Sequence, residues 1–337
     1  YSSFGSFASS PISFTAAGDG VYDFYTVATD NVGNTESAPG TPDASTTVDT
    51  GAPKTPTMTA EPTYTQGTSN TVPWSDESGS GASEYFAQAA TDAGFNAIAD
   101  SSTWIAGTSH GFTGLTDGQI YYYRVKARDN DQIESGWSAS ESSTQDDTAP
   151  TSSADPLSTY QGTLTFDVAY TASDATSGVA SVELFYKVDG GGYSSYGSFA
   201  SSPISFTAAG DGVYDFYTVA TDNVGNVETA PGTPDASTEV DTSTPSNPVL
   251  NAEPAYTAGT ENTVSWGAVT MRDSPVSYLA QRATDAGFTA IADSSGWIAG
   301  TSHNFTGLTD GQIYYYRVKA RDAALNESAW SASELSL

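Results

Sequence analysis

The sequence predicts an all-β chain of tandem β-sandwich modules arranged as beads on a string, and three observations lead there. Short runs rich in Tyr, Phe, Val and Thr alternate in period two between Gly, Asp, Asn and Ser turns, and no window carries a helical apolar stripe. A long internal duplication divides the chain into equivalent parts. Linkers with a shared Asp-Thr followed by Pro separate those parts.

The duplication is the strongest of the three. Residues 1–50 align with 193–242 at an offset of 192 and differ only at Phe4/Tyr196, Thr35/Val227, Ser37/Thr229 and Thr47/Glu239. The next hundred residues recur less perfectly, and the offset moves to 193 near Trp74 and Trp266. The block Gly-Leu-Thr-Asp-Gly-Gln-Ile-Tyr-Tyr-Tyr-Arg-Val-Lys-Ala-Arg-Asp stands at 114–129 and again at 307–322. A period of that length is too long for a solenoid unit and suits a pair of sandwiches.

The linkers are Val48-Asp49-Thr50-Gly51-Ala52-Pro53, Asp146-Asp147-Thr148-Ala149-Pro150 and Val240-Asp241-Thr242-Ser243-Thr244-Pro245. Proline fixes the backbone and ends strand pairing, so these read as short semi-rigid hinges. The order is a partial module A (1–49), module B (50–145), a complete module A (146–242) and a second module B (243–337).

Module B carries Trp74 in a second-strand position, Tyr85 opening a third strand, then Leu115, Gly118, Tyr121, Tyr123, Val125 and Ala127. The second copy repeats these as Trp266, Tyr278, Leu308, Gly311, Tyr314, Tyr316, Val318 and Ala320. A Leu six residues before a Tyr, followed by alternating inward residues, resembles the tyrosine corner and F strand of a fibronectin type III domain. Module A has Ser173-Asp174-Ala175-Thr176-Ser177-Gly178-Val179 leading into Val182-Glu183-Leu184-Phe185-Tyr186, and later Tyr214 through Asn226. It resembles a bacterial Ig-like domain. Together they resemble the alternating modules of a large repetitive surface protein. Residues 1–49 match only the later strands of module A. Half a sandwich cannot bury its inner face, so it implies either further chain ahead of it or completion by strand addition from a neighbouring subunit.

Composition narrows the function. At about 100–150 residues per domain, 337 residues make two to four domains. A hydrophobic share of 37% with 12% aromatics is too much core for a disordered chain. Ten basic residues against 40 acidic ones give a net charge of −30, which disfavours nucleic acid and anionic membrane surfaces and makes divalent cations the natural counter-ions. The absence of cysteine excludes disulfides, thiolate zinc sites and thiol nucleophiles, without arguing against secretion. No apolar run approaches the roughly 20 residues of a membrane span, and the first residues do not resemble a signal peptide.

Catalytic signals are weak, and the expectation is that this segment is not an enzyme. Gly107-Thr108-Ser109-His110-Gly111 matches a nucleophile-elbow pattern, but that motif needs a strand-turn-helix, and its repeat Gly300-Thr301-Ser302-His303-Asn304 breaks it. The two histidines are repeat equivalents, so no histidine cluster exists within a module.

Calcium is the sharper expectation. Each module ends its F strand on an Asp with a Glu five or six residues on: Asp30/Glu36, Asp129/Glu134, Asp222/Glu228 and Asp322/Glu327. Linker residues Asp49, Asp146, Asp147 and Asp241 should approach the F–G loop of the module that follows, with Asp174 and Asp273 joining from B–C loops. Converging hard oxygen ligands at a hinge are what Ca²⁺ requires; the plainer reading is that Asp and Asn favour turns. No cofactor is required by any motif.

Six of the ten basic residues form two trios, Arg124, Lys126, Arg128 and Arg317, Lys319, Arg321. Period-two spacing puts each trio on one face of an F strand. Such a stripe could dock on an acidic face of a second copy or on an acidic glycan; the plainer reading is cross-strand ion pairing inside the module. All six Trp lie in B modules, where Trp104, Trp137, Trp297 and Trp330 are candidates either for packing or for stacking on sugar. Asn304 and Asn326 begin glycosylation sequons. These features imply the repeat region of an extracellular filament, stalk or adhesin shaft on a prokaryotic cell surface. The alternative is a set of spacer or glycan-binding modules in a secreted multidomain hydrolase.

Overall fold

The computed structural model describes residues 1–271 and 276–337. Among them the chain is all-β, with one 3₁₀ turn at Ser78–Ser80 and no helix long and apolar enough to cross a membrane. It forms two compact units, Tyr1–Thr148 and Ala149–Leu337.

In the first unit, residues 1–49 contribute an antiparallel pair, β1 (Gly20–Phe24) and β2 (Ala44–Val48). The fibronectin-like module follows as β3 (Tyr64–Gln66), β4 (Ser69–Pro73), β5 (Glu84–Ala90), β6 (Ile98–Ser101), β7 (Ser109–Thr113), β8 (Ile120–Arg128) and β9 (Glu141–Asp146). Its sheets are β3-β9-β8-β5-β6 and β4-β7, the β3–β9 pairing being parallel. Alternation places Tyr121, Tyr123, Val125 and Ala127 of β8 inward, against Val72, Trp74, Tyr85, Ala87 and Phe112. The tyrosine corner closes as its spacing implies: the Tyr121 hydroxyl accepts the Thr116 N–H at 3.0 Å, with Leu115 buried beside it.

The second unit opens with a complete Ig-like module: β10 (Thr151–Ala154), β11 (Tyr160–Gln161), β12 (Thr165–Val168), β13 (Tyr170–Ser173), β14 (Val179–Val188), β15 (Ser194–Phe199), β16 (Ile204–Thr207), β17 (Gly212–Asp222) and β18 (Ala236–Val240). The order β11-β18-β17-β14-β15 makes one sheet, and the pairs β10-β13 and β12-β16 face it. Leu184, Ile204, Phe206, Tyr214 and Phe216 fill the core. The Tyr214 hydroxyl donates to the Gly210 carbonyl at 2.9 Å, and Tyr22 repeats that contact with Gly18 at 2.7 Å.

The last module contains β19 (Glu261–Ser265), β20 (Ser277–Ala283), β21 (Ile291–Ile298), β22 (Ser302–Thr306), β23 (Tyr314–Arg321) and β24 (Glu334–Ser336). Its sheets are β21-β20-β23-β24 and β19-β22. Trp266, Tyr278, Phe305, Tyr316 and Val318 reproduce the core of its sister, and Tyr314 accepts the Thr309 N–H at 3.1 Å. Among the described residues each of the three complete modules therefore has its own core, built on its own F strand.

Candidate functional site

The F–G loops were expected to present Asp/Glu pairs to a cation. In each loop the aspartate instead folds back on its own turn. Asp222 Oδ1 accepts the N–H groups of Val224 (2.9 Å), Gly225 (2.7 Å) and Asn226 (2.8 Å), while Oδ2 takes the Asn226 amide at 2.8 Å. Asp30 does the same with Val32 and Asn34, and the Asn34 amide is the first cause holding its carboxyl below the usual range. Asp322 accepts the Asn326 N–H at 2.9 Å and the Asn326 amide at 3.0 Å. Asp129 has Ile133 where the others have Asn, so Oδ1 takes the Ile133 N–H at 2.9 Å and Oδ2 is buried without a partner.

The glutamates go elsewhere. Glu228 grips the Ala220 N–H (2.9 Å) through Oε2 and the Ser152 N–H (2.8 Å) through Oε1, tying β17 to β10. Glu134 pairs with Lys126, and Glu327 with Lys319. An Asp and its Glu are thus engaged by different partners in all three complete modules.

The linker acids divide in the same way. Asp49 Oδ1 caps the Gly51 N–H at 2.9 Å, and Asp241 Oδ1 caps the Ser243 N–H at 3.0 Å. Asp147 is exposed, while its neighbour Asp146, ending β9, is fully buried. Asp241 does approach the following F–G loop, but through its carbonyl. The Asn326 amide bridges Asp322 Oδ2 and the Asp241 carbonyl, the latter at 2.6 Å. Close by, a Cβ on Gly162 would stand 2.4 Å from the Ala324 carbonyl oxygen, so only glycine lets the Ig-like module seat against that loop. In the B–C loop Asp174 Oδ1 accepts from Thr176 (3.1 Å) and Gly178 (2.7 Å). Its Oδ2 is enclosed without a partner, and carboxylate oxygens of Asp174 and Asp222 lie within 4.8 Å of each other. Asp273 lies outside the described residues.

The basic trios are not bare stripes. The Arg124 guanidinium lies between the Phe95 and Trp137 rings, 4.0 and 4.1 Å from their centres, and donates to Gln88 Oε1. Lys126 sits 5.0 Å from the Trp137 ring and 5.5 Å from Trp104, and Arg128 caps Trp104 at 4.3 Å while pairing with Glu84. The second copy repeats the ladder: Arg317 between Phe288 (4.2 Å) and Trp330 (4.0 Å), Lys319 beside Trp330 (5.0 Å) and Trp297 (5.5 Å), Arg321 over Trp297 (4.2 Å). Burial under these rings lowers the pKa of Arg124 and Arg317. Each of the four Trp rings therefore has at least one cation of the trios within 4.0–5.5 Å of its centre, the internal packing that was the plainer expectation for these residues.

His110 and His303 sit in β7 and β22 with rings 4.8 and 4.6 Å from Phe112 and Phe305. Asn304 is exposed, its amide donating to Glu261 at 2.8 Å, whereas both acceptors of the Asn326 amide belong to the junction above.

No family model matches the chain, and no curated protein matches it. Solved structures do. The FN1–FN3 domains of chicken CNTN1 align over 85% of this chain and 98% of theirs, at 15% identity and a TM-score of 0.34. Fibronectin(III)-like modules of Clostridium thermocellum CbhA cover 55% of this chain and 92% of theirs, at 17% identity and a TM-score of 0.34. Three N-terminal domains of the bacteriophage RB49 outer capsid protein Hoc cover 84% and 98%, at 10% identity and a TM-score of 0.43. The likeness is one of fold.

Proposed function

We propose that the chain is the structural repeat region of an extracellular filament, stalk or adhesin shaft on a prokaryotic cell surface, contributing length, stiffness and self-association, with no catalytic role of its own. One observation carries this reading: the near-identical period is built from separately cored modules, and at the Asp241 linker one module is clasped to the next by the Asn326 bridge and the close approach at Gly162. A clasped hinge transmits orientation from module to module, which is what a shaft needs. Six of the ten basic residues and four of the six Trp lie in the cation–ring ladders, which supports a packing role for them.

The competing role, a spacer or glycan-binding part of a secreted hydrolase, predicts retention of the purified chain on insoluble polysaccharide. Pull-down on cellulose, chitin and xylan tests this. The shaft reading expects no retention, and specific retention lost on Trp137→Ala would overturn it in favour of the hydrolase accessory.

Calcium remains a second reading, and the Asp174/Asp222 pair favours it, because an enclosed carboxylate oxygen without a hydrogen-bond donor suits a cation. Calorimetric titration of Ca²⁺ into the whole chain should give a binding isotherm that Asp174→Asn abolishes. A flat isotherm in the parent chain would remove the reading.

A further inference from the structure

The outer face of the five-stranded sheet in the complete Ig-like module brings two tyrosines into ring contact. Alternation along β14 turns Leu184 into the core and Phe185 and Lys187 to the opposite face. Register then sets Tyr217 of β17 beside Phe185 and Asp215 beside Lys187, while Tyr193 stands just ahead of Ser194, the first residue of the edge strand β15. The order β18-β17-β14-β15 leaves β14 between the two tyrosines, a backbone gap of about 10 Å. Their side chains close it: the Tyr193 and Tyr217 rings lie 4.4 Å apart, edge to face at 63°.

Both rings are braced. Phe185 stacks on Tyr217 at 4.9 Å and 15°, and Lys187 Nζ, held by Asp215 at 3.2 Å, lies 4.9 Å from the centre of the Tyr193 ring. Tyr193 is partly exposed and Tyr217 only 9% exposed, so an oxidant in solution meets the first ring and reaches the second through it. The contacts of Tyr186 with Tyr196 and Tyr214 in the same module are wider, at 6.2 and 6.4 Å. The close pair recurs at the offset of 192, where Tyr1 and Tyr25 meet at 4.7 Å and 75°. The sequence has no cysteine, so no disulfide can tie the edge strand β15 to the strands beyond its neighbour β14.

We propose that Tyr193 and Tyr217 form an oxidative cross-linking site, at which a one-electron oxidant of the peroxidase and hydrogen peroxide class joins them as dityrosine. Each phenol gives up one electron and its hydroxyl proton. The two phenoxyl radicals then pair their electrons in a new carbon–carbon bond between ring positions ortho to the oxygens. The ring hydrogens displaced at that bond move to the oxygens and restore both phenols. The net loss of two electrons and two protons reduces one hydrogen peroxide to two waters. Contact held by the fold makes the coupling unimolecular. The product staples β15 to β17 across β14, closing the loop from 193 to 217 as a disulfide would. It holds whether or not the protein builds a fibre.

The test treats the whole chain with peroxidase and hydrogen peroxide, at a dose shown in parallel to couple N-acetyltyrosine. Products are mapped by mass spectrometry after cleavage at aspartate. Asp211 and Asp215 stand between the two tyrosines, so a linked pair stays joined and is lighter by two hydrogens than its separate peptides. The 193–217 link should form with a yield independent of chain concentration, fall by about tenfold or more in denaturing urea, and vanish in Tyr193→Phe. Amides of β15 should exchange more slowly in the linked chain than in the unlinked one. Tyr256, 75% exposed, is the competitor, since coupling governed by exposure would join it between chains and rise with concentration. Absence of the 193–217 link at that dose overturns the proposal. A link that forms equally well in urea, or coupling carried mainly by Tyr256, overturns it too.

Discussion

Replacing Trp137 by Ala removes the ring shared by Arg124 at 4.1 Å and Lys126 at 5.0 Å. A half-buried cation–π contact is worth about 1 kcal/mol, so the two cations together account for about 2 kcal/mol. Trp137 also meets the Phe86 ring at 6.0 Å, and such a pair adds about 0.5–1 kcal/mol. Trp330→Ala removes the same two cation contacts from Arg317 and Lys319, but Leu279 stands where Phe86 stands, so the ring pair is absent. The expected costs are therefore about 2.5–3 kcal/mol for Trp137→Ala and about 2 kcal/mol for Trp330→Ala, a large share of the roughly 5–15 kcal/mol that holds a domain folded. Native-state hydrogen exchange reads each module separately through the Val125 and Val318 amides, which lie in different F strands. Losses below about 0.5 kcal/mol in both variants, or a greater cost at Trp330, would refute the reasoning that the ladder is a stabilising device.

Other variants probe other contacts. Gly162→Ala should force the Ala324 carbonyl away and break the Asn326–Asp241 bond, at a cost of about 1 kcal/mol to the junction, seen as faster exchange of the Asn326 side-chain amide with unchanged exchange in the β17 core. Tyr214→Phe should cost the complete Ig-like module about 1 kcal/mol by denaturant-dependent exchange, while Tyr22→Phe, in the exposed half-module, should cost far less. The Thr148 hydroxyl, first among its causes, holds the Asp117 carboxyl below the usual range, so this contact stabilises the chain above the ordinary carboxylate pKa of about 4 and is lost as pH falls through the depressed value. Exchange at the Asp147 amide should quicken in that acid window in the parent chain and show no such step in Asp117→Asn. Expressed in a glycosylating host, the chain should carry glycan at Asn304 and none at Asn326, as read by mass spectrometry of the sequon peptides; equal occupancy would contradict the part-buried bridge that engages the Asn326 amide.

Much of the fold was legible because β-sandwich signals are local. Period-two alternation on Tyr121 to Ala127 gave the inner face of β8, and the Leu115–Tyr121 spacing gave the corner. The same alternation placed Arg124, Lys126 and Arg128 on the outer face. It carried no sign that the face is roofed, because Phe95, Trp104 and Trp137 come from three separate loops. The acidic loops were legible only in part, for a different reason. A count of carboxylates does not show how many lone pairs the turn itself consumes. The signal that would have shown it is the Asn four residues after Asp30, Asp222 and Asp322, whose side chain and N–H close the turn on the aspartate. Asp129, followed by Ile133, is the exception that leaves an oxygen unpaired. The clasp at Gly162 was not legible, since a glycine chosen for a close approach between modules looks like any turn glycine.

The chain is proposed to serve as a shaft. Electron microscopy of native surface material, labelled with an antibody raised against this chain, tests it most directly. A shaft should show label recurring at a fixed axial interval along threads or fibres that extend from the cell. Label confined to isolated compact particles, or to the polysaccharide-bound fraction of a secreted enzyme, would contradict it.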